Sequence, residues 1–392
     1  MRKRKINILY IIDTLLIGGA EQHVATLCKH IDKEKFHVVV CTLFSRDLSR
    51  VEPFANEIKK LGIRVEQLRL TSWRNIQTFK KYLNLIDEEK IDIVHAHTIP
   101  ADFWGCLIAR IFKRRKTIVT IHGHNPRTPF LTNVQRKMVN MYLPNKLIVV
   151  SNLLKYTAIN YNYAHPDKII VIPNMVDTKV FTPEKKGTKI RMEYNIPEDV
   201  IILGSIGRFI KNKSFETCLQ VFAEVKNNCP KKLKFILCGY GEEEDFYRTT
   251  AKNLGIEEDV IFTGPRIDVD EVSAAIDIFL FTPKHSEGFG MVLIEVMASG
   301  KPVVASNVTP TPDIVLNNIT GFLPFPEDTV TVMQKINLNP FVEKILYLIE
   351  NPEIRRKMGM EGRKIVEEKY STTVVMKQIE ALYTKLSCRL EK

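Results

Sequence analysis

Short apolar runs rich in Ile, Val and Leu alternate along the chain with amphipathic stretches at helical spacing. In the first half the runs are 6–12, 37–43, 64–70, 91–97, 117–122, 146–150 and 169–172, with helical patterns at 21–30, 76–89 and 101–112 between them. The runs are continuously apolar rather than alternating, the pattern of strands buried on both faces of a parallel sheet. The second half repeats the plan with runs at 200–205, 234–238, 260–263, 277–281 and 302–306. Strands spaced by helices in this way predict an α/β protein with two doubly wound, Rossmann-like domains in tandem. A chain of 392 residues also exceeds one comfortable core.

The stretch from Pro173 to Gly187 carries prolines and charges without periodicity and reads as a linker. It divides the chain into domains 1–178 and 179–370. Segments 340–350 and 352–369 read as surface helices. Beyond Tyr370, Ser371 supplies an N-cap for a last helix over 374–386, in a closing segment 371–392.

In doubly wound sheets, ligands bind beyond the carboxyl ends of the strands, so the residues that follow each run carry the chemistry. The run 277–281 is broken by Pro283 and Gly288-Phe289-Gly290, and a helix over 290–299 follows, stopped by Gly300. A Gly-rich turn feeding a helix presents unsatisfied N–H groups and partial positive charge, which suit a phosphate or a sugar hydroxyl. Glu287 precedes this helix and Glu295 lies inside it. Eight helical residues rise about 12 Å, a reach compatible with one carboxylate on a sugar and the other on the ribose of a single nucleotide-sugar, and equally with two solvated glutamates, one of them a helix cap.

Other turns repeat the theme. Gly18-Gly19-Ala20-Glu21 opens a helix after the first strand, where paired glycines allow close backbone approach to a ligand. His95 and His97 share one strand face; a metal pair and ordinary packing are both open, and no third ligand has matching spacing. His122 ends the next run. After 200–205, Gly207-Arg208 is followed by Lys211 and Lys213, and Arg208 with one of these lysines converges on a diphosphate. Lys213 is favoured because it lies closer to the next helix. Gly239-Tyr240-Gly241 is half of a dinucleotide fingerprint, and its missing third glycine speaks against a nicotinamide enzyme. Arg266 follows the run 260–263.

Glu287 and Glu295, inside Ser-Glu-Gly-Phe-Gly and Glu-Val-Met-Ala-Ser-Gly-Lys-Pro-Val, resemble the signature of the retaining family-4 glycosyltransferases of polysaccharide-biosynthesis type. The resemblance implies the GT-B fold: two Rossmann-like domains facing a cleft, with a C-terminal helix crossing back to the first. It implies that Glu287 faces the donor sugar with Gly288 and the backbone N–H groups of Phe289 and Gly290, and that Glu295 binds ribose hydroxyls. Arg208 and Lys213 then hold the departing diphosphate, His122 reaches the donor sugar, and Gly18 and Gly19 lie over donor phosphates or acceptor. Gly207, Gly239, Gly241 and the turn at Arg266 line the nucleotide. Three positions depart from the family pattern: Gly123 where an acidic residue is frequent, Met175 in place of glycine in the Pro-Asn-Gly-Val-Asp hinge, and Thr309-Pro310-Thr311-Pro312 where a Gly-Gly turn is usual.

Composition adds limits. Hydrophobic residues at 45% and charged residues at 26% are ordinary for a globular protein, and no apolar run approaches the ~20 residues of a membrane span. The seven cysteines show no metal spacing and read as buried, reduced thiols of a cytoplasmic protein. The net charge of +12, clustered at 2–5, 59–60, 80–81 and 113–116, is compatible with a solvated face, with attraction to the inner face of a membrane, or with steering of an anionic substrate. No nucleic-acid motif is present, and no feature indicates an oligomeric state. The expectation is a cytoplasmic or peripheral enzyme that transfers a sugar, with retention, from a nucleotide diphosphate donor, UDP-sugar first, to a glycan or lipid-linked acceptor. It needs no cofactor or metal. The alternatives are a GT-B nucleotide-sugar epimerase and a non-catalytic nucleotide-sugar-binding subunit.

Overall fold

In a computed structural model, which describes residues 4–43, 52–68, 76–98, 100–123, 130–161, 164–324 and 338–388, the apolar runs of the first half become seven strands. These are β1 (Ile6–Ile12), β2 (Phe36–Thr42), β3 (Arg64–Gln67), β4 (Ile93–His97), β5 (Lys116–Ile121), β6 (Lys146–Val149) and β7 (Ile169–Val171). They pair in parallel in the order β3-β2-β1-β4-β5-β6-β7. The chain first winds outward from β1 to β3, then returns to β4 and winds the other way. The switch point therefore lies between β1 and β4, whose ends carry the Gly18-Gly19 turn and His97.

The second sheet has the same logic with six strands in the order β10-β9-β8-β11-β12-β13. They are β8 (Ile201–Ile206), β9 (Leu233–Cys238), β10 (Val260–Gly264), β11 (Ile278–Phe281), β12 (Val303–Ala305) and β13 (Gly321–Phe322). Its switch point lies between β8 and β11, the two strands followed by the Arg208–Lys213 and Glu287–Gly290 turns. The sequence pattern does not announce β13. It is two residues long and opens with Gly321, where a side chain would stand 2.0 Å from the Val303 carbonyl, so close pairing to β12 demands glycine. Of the run 64–70, residues 64–67 form β3, and 69–70 lie outside the described residues.

The residues up to Met175 and those from Thr372 onward form one compact unit, and Val176–Ser371 form the other. The second unit begins and ends at one place: Val176 N donates to the Tyr370 carbonyl at 2.9 Å. The closing helix Thr372–Ser387 belongs to the first unit. It buries Val375, Ile379 and Tyr383 among β1 and β2 residues such as Ile8, Tyr10 and Val38. Each buried aliphatic side chain of this kind contributes about 1.5–3 kcal/mol.

In the second unit, the helix Pro352–Lys369 packs tightly on the helix Met291–Ala298. A Cβ on Gly359 would sit 1.8 Å from the Gly300 carbonyl, so the contact exists only because position 359 is glycine. Arg363 completes the joint. Its guanidinium donates to the carbonyls of Ala298 (2.8 Å), Phe181 (2.6 Å) and Thr178 (2.9 Å), placing a cation at the C-terminal end of the helix that carries Glu295.

Candidate functional site

In the second unit the chain leaves β8 through Gly207 and Arg208. It makes one 3₁₀ turn at Lys211–Lys213 and enters the helix Phe215–Asn227 through Ser214, whose backbone is left-handed (φ 51°). Phe209 anchors this loop, fully buried and edge-on to Phe215 and Tyr247 at 5.5 and 5.6 Å. Arg208, next to it, is exposed.

The β8 loop is strapped to the loop after β11. Asn212 Nδ2 donates to Glu287 Oε1 at 3.1 Å, its Oδ1 accepts from His285 N at 3.1 Å, and its carbonyl accepts from Lys284 N at 2.8 Å. Lys213 Nζ donates to the other Glu287 oxygen at 2.9 Å, with the two side chains only 17% and 14% exposed. The Lys213 ammonium also lies 5.4 Å from the centre of the Phe281 ring. Glu287 N in turn donates to the Thr309 carbonyl at 3.1 Å, so the proline-containing stretch after β12 supports Glu287 through a carbonyl. The result is a carboxylate held at both oxygens beside an ammonium. An ammonium has three N–H donors, so Lys213 can hold Glu287 and an incoming phosphate oxygen together.

Gly290 takes a left-handed conformation (φ 91°) at the start of the helix Met291–Ala298, a turn that strains any residue with a Cβ. Gly288 and Phe289 lie just before it, and Phe289 is buried edge-on to Tyr370 at 5.7 Å. Glu295 is buried in the helix at 4% exposure. Glu287, Lys213 and Asn212 are thus in direct contact, Arg208 shares their loop, and Glu295 sits in the adjoining helix.

Three positions expected to line a nucleotide have structural duties. Gly239 and Gly241 let the loop after β9 press on the loop after β8, since a Cβ there would stand 1.9 Å from the Gly207 carbonyl or 2.4 Å from that of Phe209. Backbone bonds from Gly207 N to the Cys238 carbonyl and from Phe209 N to that of Tyr240 join the same loops. The Arg266 side chain is turned away onto two carboxylates, Glu193 (2.6 and 2.9 Å) and Asp268 (2.9 Å for both bonds). Its guanidinium donors are thus engaged, which leaves the backbone of this turn as the part that can face a ligand.

In the first unit Gly18 and Gly19 open the helix Gly19–His30, and the Glu21 side chain folds back over them. A Cβ on Gly18 would meet Glu21 Oε2 at 2.4 Å. Behind this turn lies a group of histidines. His95 is bonded at both nitrogens, to Tyr383 Oη and Thr120 Oγ1 at 2.7 Å each, which leaves it no electron pair for a metal. His97 Nδ1 and His122 Nε2 are 3.0 Å apart, and the two rings stack at 5.3 Å with His23 edge-on to His122 at 5.0 Å. Among the described residues no set of three or more His, Cys, Asp or Glu is placed to hold a metal ion.

Burial holds all four rings neutral: it pushes His95 down to about 3 and His122 to about 4, and lowers His23 and His97 well below the usual histidine range. The neighbouring histidines add to the shift of His23, His95 and His97, and the Asn174 side chain pulls His122 slightly upward. His122 Nδ1 has no hydrogen-bond partner. A neutral imidazole with one free nitrogen serves as a hydrogen-bonding group rather than an acid. Asn212 is the site residue that sequence reasoning passes over; it lies between two lysines that draw attention by their charge.

Known proteins share this plan. Residues 187–365 match the glycosyl transferases group 1 family, and residues 17–180 match glycosyltransferase family 4. The chain is 28% identical over 312 residues to N-acetyl-alpha-D-glucosaminyl L-malate synthase of Bacillus anthracis, covering 77% of each protein. It is 27% identical over 360 residues to the capsular polysaccharide biosynthesis glycosyltransferase CapM of Staphylococcus aureus, covering 87% of the chain and 88% of CapM. Among solved structures it is similar to HepE of Anabaena in complex with UDP and glucose, with a TM-score of 0.81, 20% identity, and coverage of 97% of the chain and all of HepE (100%).

Proposed function

The chain belongs to the family-4 glycosyltransferases of GT-B fold, and from that premise we propose that it moves a sugar from a UDP-sugar to a hydroxyl of a glycan or lipid-linked acceptor, with retention of configuration, in envelope polysaccharide assembly. The observation that carries the reading is the Glu287–Lys213–Asn212 contact at the switch point of the second sheet, with Arg208 exposed on the same loop. UDP is the nucleotide to test first because HepE, which shares the fold, was solved with it. CapM supplies the polysaccharide context.

In this reading the diphosphate meets Lys213 and Arg208, whose charge stabilises the leaving group as the glycosidic bond breaks. Among the sources of catalysis, such preorganised electrostatic stabilisation usually contributes most. Glu287, held in place by Asn212 and Lys213, faces the donor sugar, and Glu295 takes the ribose. The neutral His122 offers its free Nδ1 to a sugar hydroxyl. No metal takes part. The leaving phosphate oxygen accepts the acceptor proton on the face from which it departs.

Peripheral membrane attachment belongs to the same proposal. No helix among the described residues is long and apolar enough to cross a membrane. Ile111 and Phe112 are 60% and 57% exposed, beside the basic run from Lys113 to Lys116, a combination suited to an anionic lipid surface. Binding to anionic liposomes that disappears in high salt is the expected result.

The decisive experiment is hydrolysis of UDP-, GDP- and ADP-sugars in the presence of EDTA. Slow release of UDP from one donor, lost in Glu295→Ala, is expected. Release of no nucleotide, or activity only on adding Mg²⁺ or Mn²⁺, would overturn the proposal.

A further inference from the structure

His97 ends β4, and His122 directly follows β5. The strand register pairs His97 with Thr120, so His122, two residues on, lies on the same face of the sheet. The contact from His97 Nδ1 to His122 Nε2 at 3.0 Å holds a single hydrogen. Burial keeps both rings neutral, and a neutral imidazole has one donor nitrogen and one acceptor nitrogen. Whichever ring donates therefore decides the state of the far nitrogen of each. If His97 donates, His122 carries its hydrogen on Nδ1 and His97 Nε2 is bare. If His122 donates, its Nδ1 is bare and His97 carries a hydrogen on Nε2.

The surroundings separate the two arrangements. His97 is fully buried and its Nε2 has no hydrogen-bond partner, so a hydrogen there is an orphan donor among the rings of Tyr10, His95 and His23. At His122 the Asn174 side chain favours a proton on the ring, and Asn174 Oδ1 is itself buried without a partner. A bare Nδ1 leaves both acceptors without a donor, whereas a hydrogen on Nδ1 supplies one. His97 is also kept from turning over. Its ring lies against that of His95, with centres 4.3 Å apart, and His95 is tied at both nitrogens to Tyr383 Oη and Thr120 Oγ1. From this geometry we infer that His97 is a positioning residue: it donates from Nδ1 to His122 and fixes His122 in the tautomer with hydrogen on Nδ1, so that His122 meets the donor sugar as a hydrogen-bond donor. The hydrogen is set before the sugar arrives. A sugar without an oxygen at that point leaves the donor unpaired, which is the strongest form of discrimination a binding site has against a deoxy analogue. His97, shut away from solvent, thereby decides which atom the sugar must present.

The inference rests on the donor-sugar reading of His122, and the experiment separates the two. Long-range ¹H–¹⁵N NMR of the full chain, labelled on histidine and held above neutral pH, reads the tautomer with no substrate present. His122 is assigned by the signals missing in His122→Asn, and a protonated Nδ1 with a bare Nε2 is expected. His97→Leu, which has no donor, should release His122 to exchange between tautomers and lower kcat/KM for UDP-sugar hydrolysis about tenfold, the worth of one hydrogen bond. His97→Asn, whose amide N–H takes the place of Nδ1–H, should keep the wild-type tautomer and most of the activity. Hydrogen on His122 Nε2 in the wild-type protein would overturn the inference. So would equal losses of activity in His97→Leu and His97→Asn, which would make position 97 a packing residue. The expected tautomer, lost in His97→Leu, in a protein that hydrolyses no nucleotide-sugar would support the role of His97 and remove the donor reading instead.

Discussion

The two sheets share a winding rule but equip their switch points in opposite ways. The second sheet gathers charge near its surface: Lys213 and Glu287 are paired and strapped by Asn212, with Arg208 open to solvent. The first sheet gathers neutral groups in its interior: four histidines that burial keeps uncharged, with His95 tied to Tyr383 and Thr120. A departing diphosphate needs charges that act as it forms. A sugar needs fixed hydrogen-bonding directions, which neutral buried groups provide without competing for the phosphates. The division of labour in the proposed reaction follows this difference of electrostatic character.

The sharpest way to break the contrast is to remove its charge. Lys213→Ala should reduce kcat for UDP-sugar hydrolysis by about 10²–10³-fold, measured beside an unchanged circular dichroism spectrum. A loss under about threefold would take Lys213 out of the reaction. Next in size is Arg363→Met, which leaves three carbonyls without their charged donor. It should lower the unfolding free energy by about 2–3 kcal/mol in a denaturant titration.

The neutral side of the comparison answers to pH. In an unfolded chain the histidines take up protons below about 6.5, whereas His122 does so only near 4 in the fold. Between these values the unfolded chain binds more protons, so stability is full above the upper value and is lost as pH falls. Each histidine contributes up to about 1.4 kcal/mol per pH unit in that window. Urea midpoints measured from pH 7 to pH 5 should fall, and His122→Gln should flatten the slope. The smallest effect belongs to Asn212→Ala, which loosens Glu287 while Lys213 still holds it. About a tenfold drop in kcat is expected, and wild-type kcat would show that Lys213 alone positions the carboxylate.

How much of this could be read from the chain depended on where the information lies. Strand identity is local, so β1 and the helix Pro352–Lys369 emerge at their sequence-read bounds, and so does the glycine turn at Gly290. Non-local causes were hidden. The requirement for glycine at Gly239 and Gly241 comes from the approach of another loop, which a motif search reads as a ligand site. The ion pair of Arg266 with the distant Glu193 leaves no trace in the local sequence. Arg363 has no motif at all; only the fold shows that it serves three carbonyls.

The return of the last helix to the first unit has a consequence for how the protein is made. The second unit is a continuous stretch, closed where Val176 meets Tyr370, and it can be completed as soon as it leaves the ribosome. The first unit emerges earlier but lacks the surface that Val375, Ile379 and Tyr383 later cover. During synthesis its apolar face stays open until the helix Thr372–Ser387 is translated. The half that is born first is the half that matures last, and in the interval it is the part of the nascent chain most in need of a chaperone.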